Sequence, residues 1–401
     1  MSVDSIPRPA PLYRQGWFWL CLLATLISLV IRNSSRGFVS YDFMYFYLPW
    51  SEHLEANGGF AGIPSLDTDY TVAYHYILAF LTYLPASYLA KVKVVSTFFD
   101  LSAAILIFFI VAKLDPAKTL VKPSLAYIIA LFIPTVILNS AVWGQCDSIY
   151  TAFVLGCILA LLHRKYALAF FSYGIALAFK LQAIFFLPVL CLLLLEEKQV
   201  KLWYFLIIPA VNFAIYLPAW ALGKPLQQFF DAYLIQVTQY SDLVRRFPSL
   251  WHWLNQPPPW MQNLALVIAL GTIGVFYLYN LYRKNKLTAP PFLIQTSMLT
   301  VMLCALLLPT MHERYMYMAD LLAAIYLVFQ PRKFFIPLAI WAASLVGYLD
   351  VLFGITQVLL YRWFALILLA ACVYLLVSLI KKEEISSSNP RLEADQVSDP
   401  V

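Results

Sequence analysis

Residues 261–282 read MQNLALVIALGTIGVFYLYNLY, which is 22 residues without a charged side chain. An α-helix needs about 20 apolar residues to cross the ~30 Å hydrocarbon core of a bilayer. Similar runs recur from Trp17 to Ile380, and 62% of the 401 residues are hydrophobic whereas 12% are charged. A soluble domain has about 25% charged residues. The sequence therefore predicts an all-α, polytopic, integral membrane protein.

The apolar runs predict about twelve transmembrane helices in a single domain, residues 1–380. The predicted spans are Trp17–Ile31, Val92–Ala112, Pro123–Ser140, Ser148–Leu162, Tyr166–Lys180, Ala183–Leu195, Leu202–Leu222, Met261–Tyr282, Ala289–Leu308, Tyr315–Phe329, Phe334–Tyr348 and Leu359–Ile380. Two long outer connections are expected, a first outer loop (residues 32–91) and an outer lid loop (residues 223–260). Residues 381–401 are polar and predict a disordered cytoplasmic tail.

The run Val72–Leu89 decides which way the later spans face, because it could cross the membrane or lie along its outer surface. Arg8 and Arg14 precede the first span and place the N-terminus in the cytoplasm. If residues 72–89 do not cross, 17 of the 27 Lys and Arg residues lie inside; if they cross, only 10 do. Cytoplasmic segments carry an excess of positive charge. We therefore favour the non-crossing topology, in which the polar clusters between spans face outward together with the first outer loop.

Composition also bears on partners and cofactors. We attribute the net charge of +6 to the orientation of the chain in the membrane and to contacts with lipid head groups, since no nucleic-acid-binding motif is present. None of the six cysteines forms a Cys-x-x-Cys pair, which argues against a disulfide framework or a zinc site. No cofactor and no metal site are expected.

Residues Val39–Trp50 follow the first span and read VSYDFMYFYLPW. Asp42 is the only charged residue in this stretch and is surrounded by aromatic residues. A carboxylate in such surroundings is costly unless it faces water, a partner or a substrate. Two interpretations stand at this point: a helix cap in an interfacial aromatic belt, or a general base at the membrane surface.

Residues 143–148, WGQCDS, lie where one predicted span ends and the next begins. Asp147 or Ser148 could cap the following helix. Alternatively, Trp143, Gln145 and Asp147 suit sugar recognition, since an indole packs on the C–H face of a sugar ring and an amide offers a donor and an acceptor.

Isolated cations at outer helix ends are candidates for binding a phosphate. Lys180, followed by Gln182, ends an apolar run and could instead extend to the head groups. His312 and Arg314 form a dense polar group in which Glu313–Arg314 could be a purely structural ion pair, and guanidinium groups bind phosphate with two hydrogen bonds. The other candidates are Arg245, Arg246 and Arg362. Asp100 and Asp320 lie within apolar spans, where acids usually have a partner.

These clusters, in this order, resemble the polytopic glycosyltransferases of the GT-C superfamily, which use polyprenyl-phosphate-linked sugars. Residues 143–148, the helix end Ala176–Gln182 (ALAFKLQ) and His312–Tyr315 (HERY) look most like bacterial relatives of the second-step GPI mannosyltransferase. The resemblance covers residues 38–315. It differs at residues 73–76, where many relatives have a Pro-Pro pair and this chain has His75, a candidate acceptor contact.

The resemblance implies a metal-independent, inverting transfer of a hexose, mannose or glucose, from a polyprenyl-phosphate donor to a hydroxyl of a glycan, lipid or protein. It implies that Asp42 is the catalytic acid/base residue, that helices of the first outer loop lie along the membrane surface, and that the site faces the extracytoplasmic side of a bacterial plasma membrane. Asp42 would accept the acceptor proton, while Lys180 and Arg314, with His312, Arg245 and Arg246, would hold the lipid phosphate. The alternatives are a lipid-linked-sugar transporter or flippase, or a non-catalytic membrane subunit. Asp147, Asp67 and Asp69 are the rival bases.

Overall fold

The computed structural model describes residues 16–238, 242–255, 257–355 and 358–383, all without a β-strand. The α-helices are α1 (Gly16–Ser34), α2 (Leu48–Ala56), α3 (Val72–Thr82), α4 (Tyr88–Leu114), α5 (Val121–Phe132), α6 (Pro134–Ile137), α7 (Asp147–Leu162), α8 (Tyr166–Phe179), α9 (Leu187–Glu196), α10 (Ile207–Ala221), α11 (Gln227–Thr238), α12 (Met261–Tyr282), α13 (Pro290–Leu307), α14 (Tyr317–Phe329), α15 (Phe335–Phe353) and α16 (Val358–Ile380). The predicted all-helical class is confirmed. Arg8, Arg14 and most of the predicted tail lie outside the described residues.

Seven of the described helices are long and apolar enough to cross a membrane. They are α1, α4, the continuous stretch Leu202–Ala221 that contains α10, α12, α13, α15 and α16. An eighth span results if α5 and residues Pro134–Trp143 are counted together, although they are bent by 53°. Pro134 lies at this break, where a proline ring disfavours a helical residue before it. These helices identify the chain as a multi-pass helical protein.

The predicted count of twelve spans is not supported, because four predicted spans form short helices. Helices α7, α8 and α14 have 16, 14 and 13 residues, and Leu181–Glu196, a 3₁₀ turn followed by α9, is also short. A 16-residue helix is about 24 Å long, which is less than the ~30 Å apolar core of a bilayer. The spans predicted from the sequence included residues that belong to turns rather than to regular helix.

Two of the short helices, α7 and α14, lie inside the bundle. Helix α7 packs between α4 and α8, and α14 packs against α5, α13 and α15. Most of their residues are buried, 13 of 16 in α7 and 11 of 13 in α14. A helix covered by protein need not match the bilayer thickness, so these two helices can end below the surface and leave room for a cavity.

The run Val72–Leu89 is not one helix. Helix α3 stops at Thr82, Pro85 follows, and Ser87 caps α4 by accepting a hydrogen bond from the Ala90 N–H at 3.4 Å. The 11 residues of α3 extend about 16 Å, half of a bilayer core. Helix α3 instead packs on α2, α4, α8 and α10. This length supports the non-crossing topology.

The two acids predicted to need partners have them. Asp100 on α4 pairs with Arg32 on α1, with an oxygen–nitrogen distance of 3.1 Å, and accepts a hydrogen bond from the Tyr317 hydroxyl at 2.6 Å. Asp320 on α14 accepts hydrogen bonds from the hydroxyls of Thr135 and Ser344 at 2.7 and 2.8 Å. Buried charge therefore links separate helices of the bundle.

The predicted lid loop, residues 223–260, contains helix α11 and a 3₁₀ turn, Leu250–Trp253. The buried Trp251 indole donates to the Leu307 carbonyl at 2.8 Å, and Arg362 donates to the His252 carbonyl at 2.9 Å. The second half of the loop is therefore attached to α13 and α16 rather than lying free on the surface.

Candidate functional site

A cavity of about 960 Å³ brings together residues that are far apart in the sequence. Its walls come from the first outer loop, the turn after residue 142, the lid loop, residues 312–314 and the facing ends of α15 and α16. Seven of the residues named as candidates line it: Asp42, Trp143, Arg245, Arg246, His312, Arg314 and Arg362. The candidate base and the four candidate phosphate-binding arginines therefore share one cavity.

Asp42 is held by two side chains on one of its oxygens. Its Oδ2 accepts a hydrogen bond from the Trp143 indole at 3.1 Å and a second one from the Gln145 amide. Its Oδ1 accepts no hydrogen bond from any described residue, and the side chain is partly exposed in the cavity. Although Asp42 precedes a π-helical turn, Phe43–Tyr47, its side chain makes no capping hydrogen bond. The helix-cap interpretation is therefore wrong, and one carboxylate oxygen is available to a ligand.

The two donors to Asp42 flank a glycine in the left-handed conformation. Gly144 has φ of 82°, a value that side chains other than glycine rarely adopt, and it ends a second π-helical segment, Leu138–Trp143. The Trp143 carbonyl accepts from the Ser40 hydroxyl at 2.9 Å, and the Gln145 carbonyl accepts from the Ser96 hydroxyl at 2.6 Å. These bonds fix the turn, so that Trp143 and Gln145 meet the same oxygen. We call Trp143 and Gln145 the carboxylate clamp.

Arg314 presents a guanidinium group to the same cavity. Its Nη1 donates to the Glu313 Oε1 at 2.7 Å, and its Nε lies 3.6 Å from the Asp147 Oδ2. The guanidinium also lies over the Trp143 ring, 5.4 Å from the centroid. The predicted Glu313–Arg314 ion pair is therefore present, and it occurs in a cavity wall. Burial raises the pKa of the Glu313 carboxyl, while the charge of Arg314 lowers it.

His312 lines the cavity as a neutral ring. Burial, together with the positive charges of Arg314 and Arg245, lowers its pKa to about 2. Its Nδ1 lies 3.8 Å from Glu313 Oε2, beyond hydrogen-bond distance. His312 can therefore offer hydrogen bonds to a bound group but no positive charge.

Arg245 and Arg246 reach the cavity from the lid loop. The Arg245 Nη2 lies 3.1 Å from the Asp242 Oδ2, and the Arg246 Nε lies 3.8 Å from the Asp350 Oδ2. The Arg246 side chain is 62% exposed, which makes it the more accessible of the two. The lid loop therefore contributes positive charge on the cavity side.

Five other residues predicted for the site do not line this cavity. The Lys180 Nζ lies 2.7 Å from the Asp147 Oδ1, and both side chains are buried. Asp147 also accepts a hydrogen bond from Asn139 at 3.0 Å and makes no capping bond, since it is the first residue of α7. Lys180 therefore does not extend to the lipid head groups, which was the alternative prediction. Asp147 neutralises the charge of Lys180.

The remaining three have separate surroundings. Gln145 is 1% exposed and contacts Asp42 from behind the cavity wall. Gln182 is buried, and its Oε1 has no hydrogen-bond partner among the described residues. His75 lines a second cavity of about 130 Å³ together with Lys224, and its Nε2 lies 2.7 Å from the Thr68 hydroxyl. His75 is therefore placed in a different cavity from Asp42, although Tyr70 lines both.

Several residues that line the cavity were not identified as site candidates from the sequence. Asp350 and Tyr361 line the cavity from α15 and α16, and the Tyr361 hydroxyl donates to the Asp350 carboxylate at 2.7 Å. Asp69, considered only as a rival base, also lines it, and burial raises the pKa of its carboxyl. A lone acid near the outer end of an apolar run was the only available signal for Asp350.

No protein-family model matches this chain, and no curated protein sequence matches it significantly.

Proposed function

We propose that this protein is a membrane glycosyltransferase that moves a hexose from a polyprenyl-phosphate donor to an acceptor hydroxyl. The observation that carries the proposal is the Asp42 Oδ1, which accepts no hydrogen bond from the described residues. It lies in a cavity that the guanidinium groups of Arg314, Arg245 and Arg246 also line. Transfer from a lipid phosphosugar needs a base for the acceptor and positive charge for the departing phosphate. The resemblance to the GT-C superfamily is a separate argument for the same reaction.

Asp42 is the proposed general base. The acceptor hydroxyl gives its proton to the Asp42 Oδ1 as its oxygen forms a bond to the anomeric carbon. The bond between that carbon and the phosphate oxygen breaks, and its electron pair leaves with the polyprenyl phosphate. A single displacement of this kind inverts the anomeric carbon. The clamp on Oδ2 keeps the carboxylate oriented for this step.

Arg314, Arg245 and Arg246 are the proposed phosphate ligands. A guanidinium keeps its charge and matches two phosphate oxygens at once. Arg314 is already positioned by Glu313, Asp147 and the Trp143 ring. Lys180 was predicted to bind the phosphate, but in the structure it neutralises Asp147. Asp147 in turn lies beside Arg314. His312, as a neutral ring, supplies hydrogen bonds only.

Trp143 is the proposed contact for the sugar ring. It lines the cavity beside both Asp42 and Arg314, so its indole is near the position that the base and the phosphate ligands define. Only 2% of Trp143 is exposed, so this contact involves the edge of the indole that lines the cavity rather than an open ring face. Mannose and glucose both satisfy this contact.

The proposed site faces the extracytoplasmic side. This assignment rests on the twelve-span interpretation of the sequence, in which the short helices α7, α8, α9 and α14 also pass from one face to the other and 17 of the 27 basic residues lie in the cytoplasm. The convergence of Asp42 with Trp143, Arg245 and Arg314 supports this topology, because residues 72–89 as a span would separate Asp42 from the other three. The donor then reaches the site from the outer leaflet of the plasma membrane.

The test is a transfer assay with purified protein in lipid nanodiscs. Labelled polyprenyl-phosphate mannose and polyprenyl-phosphate glucose are each offered with a panel of glycan, lipid and peptide acceptors, with Asp42→Asn as the matched inactive variant. We expect a labelled, inverted product with one donor and at least about 100-fold slower product formation with Asp42→Asn. Donor binding without transfer would instead indicate a non-catalytic subunit. Movement of intact donor between leaflets of a vesicle, without transfer, would indicate a flippase.

A further inference from the structure

The orientation of the Gln145 amide is fixed by its partners. The Oε1 accepts hydrogen bonds from the Tyr47 hydroxyl at 3.0 Å and the Tyr70 hydroxyl at 3.4 Å, while the Nε2 donates to the Asp42 Oδ2. An ionised carboxylate can only accept, so a reversed amide would place two acceptors against each other. The chain Tyr47–Gln145–Asp42 therefore has one satisfied arrangement.

Gln145 is also fixed through its backbone and is hidden from the cavity. Its N–H donates to the Asn139 carbonyl at 2.9 Å, and its carbonyl accepts from the Ser96 hydroxyl at 2.6 Å. The residue is 1% exposed and does not line the cavity, whereas Trp143, the other half of the clamp, does. Gln145 can thus act on a ligand only through the cavity side chains that it holds, which are Asp42, Tyr47 and Tyr70.

We propose that Gln145 is a positioning residue that holds the Asp42 Oδ2 and leaves Oδ1 facing the acceptor, an inference that rests on the proposed transferase function. Since a carboxylate with one oxygen held by two donors is restricted in rotation, the free oxygen keeps a single direction. The other charged groups near Asp42 are Asp69, Glu313 and Arg314, and the hydrogen bonds given above for Gln145 involve none of them. Replacing the amide therefore changes the surroundings of Asp42 and also removes the acceptor of the Tyr47 and Tyr70 hydroxyls, which still contact each other.

Two substitutions of Gln145 test the proposal. Gln145→Ala frees the carboxylate, so we expect kcat to fall by about 10- to 100-fold while the KM for donor stays within about threefold. Gln145→Glu keeps the shape but places a second carboxylate beside Asp42, and two such groups share a proton. We expect the acid limb of the pH–kcat profile to move up by more than about one pH unit. Gln227→Glu, on the exposed side of α11, makes the same charge change as a control.

A second readout does not depend on transfer. Carbon-13 NMR of labelled aspartate, with the Asp42 signal assigned by its loss in Asp42→Asn, follows protonation of this carboxyl directly. A raised titration midpoint in Gln145→Glu but not in Gln227→Glu shows that the side chain of residue 145 lies against Asp42. A changed midpoint in Gln145→Ala, which adds no charge, supports the positioning role even if no transfer is found, in which case only the proposed function fails. Equal midpoints and equal pH profiles in Gln145→Glu, Gln227→Glu and the wild type would overturn it.

Discussion

Lys180 and Asp147 form a buried ion pair, with the Lys180 Nζ 2.7 Å from the Asp147 Oδ1. The pair joins the C-terminal end of α8 to the first residue of α7. Removing one partner of a buried pair leaves an uncompensated charge and costs about 3–5 kcal/mol. We predict that Lys180→Met lowers the free energy of unfolding by about 3 kcal/mol, measured by denaturation in mixed micelles.

The double variant Lys180→Met/Asp147→Asn is the control for this pair. It removes both charges and should recover part of the lost stability, because the amide that replaces the Asp147 carboxylate can still bond to Asn139. If Lys180→Met were as stable as the wild type but bound donor more weakly, Lys180 would contact the donor phosphate directly, as the sequence first indicated.

The second prediction concerns the base. Asp42→Asn keeps the size of the side chain but cannot accept a proton, and a general base contributes about 10²–10⁴-fold. Transfer should fall by that factor, with donor affinity and thermal stability nearly unchanged. Asp42→Glu should recover little, since a displacement of about 1 Å can cost ~100-fold.

Asp69→Asn is the matched control for Asp42, because Asp69 is an acid in the same cavity wall. It should retain more transfer than Asp42→Asn by at least about tenfold. Near-normal transfer by Asp42→Asn, with loss in folded Asp69→Asn or Asp147→Asn, would move the base assignment to the acid concerned.

The third prediction concerns the donor phosphate. Arg246 is the most exposed of the three proposed phosphate ligands, so Arg246→Ala removes charge with little effect on folding. We expect the Kd for polyprenyl phosphate to rise by about tenfold, as for the loss of one charge-assisted hydrogen bond. Arg314→Ala should weaken binding more, and Arg314→Lys should restore it only in part because the planar fork is lost.

Arg314→Ala also leaves the buried Glu313 without its partner, so Arg314→Ala/Glu313→Gln is needed beside it. The double variant should regain stability but not donor affinity. Unchanged Kd in Arg246→Ala and in the double variant would rule out phosphate binding by this cluster.

The fourth prediction is a pH dependence of stability that arises from His312. Its pKa is about 2 in the folded protein against 6.5 for an ordinary histidine, because the ring is buried among arginines. Between these values the unfolded chain binds a proton that the folded chain does not, so stability is full above pH 6.5 and decreases as the pH falls toward 2. We expect Tm to decrease between pH 7.5 and 5, and to decrease less in His312→Asn.

His53→Asn serves as the control, since His53 lies on α2 and contacts the Ser65 hydroxyl at an exposed position. It should follow the wild-type pH dependence. An identical decrease in Tm for His312→Asn and the wild type would show that His312 does not titrate as described.

The fifth prediction is the topology. In a background without the native cysteines, Lys118→Cys and Arg283→Cys should react only with reagents that reach the cytoplasm, whereas Asp67→Cys on the first outer loop should react from outside. Labelling of residue 118 or 283 from outside would reverse the orientation and place the cavity on the cytoplasmic side.

The sequence by itself determined the helical membrane class and many helix ends. Met261–Tyr282 was predicted residue for residue, because a long apolar run is helical wherever it lies in a bilayer. It also identified Asp42, Trp143 and Arg314 as candidates, since charged and amphipathic residues at the ends of apolar runs are few. Hydrophobicity is a local property and can be summed along the chain.

The tertiary structure alone decided which candidates meet. Lys180 and Arg314 have similar sequence contexts, yet Asp147 neutralises Lys180 behind the wall while Arg314 reaches the cavity. His75 lies at a different cavity, and Asp350 joins the site from a helix more than 300 positions after Asp42. The sequence also predicted more membrane-spanning helices than the structure has long apolar helices. A helix buried by protein, such as α7, has the same composition as one that faces lipid. Pairing of charges and burial depend on helix packing, and packing brings together residues whose separation in the chain carries no signal.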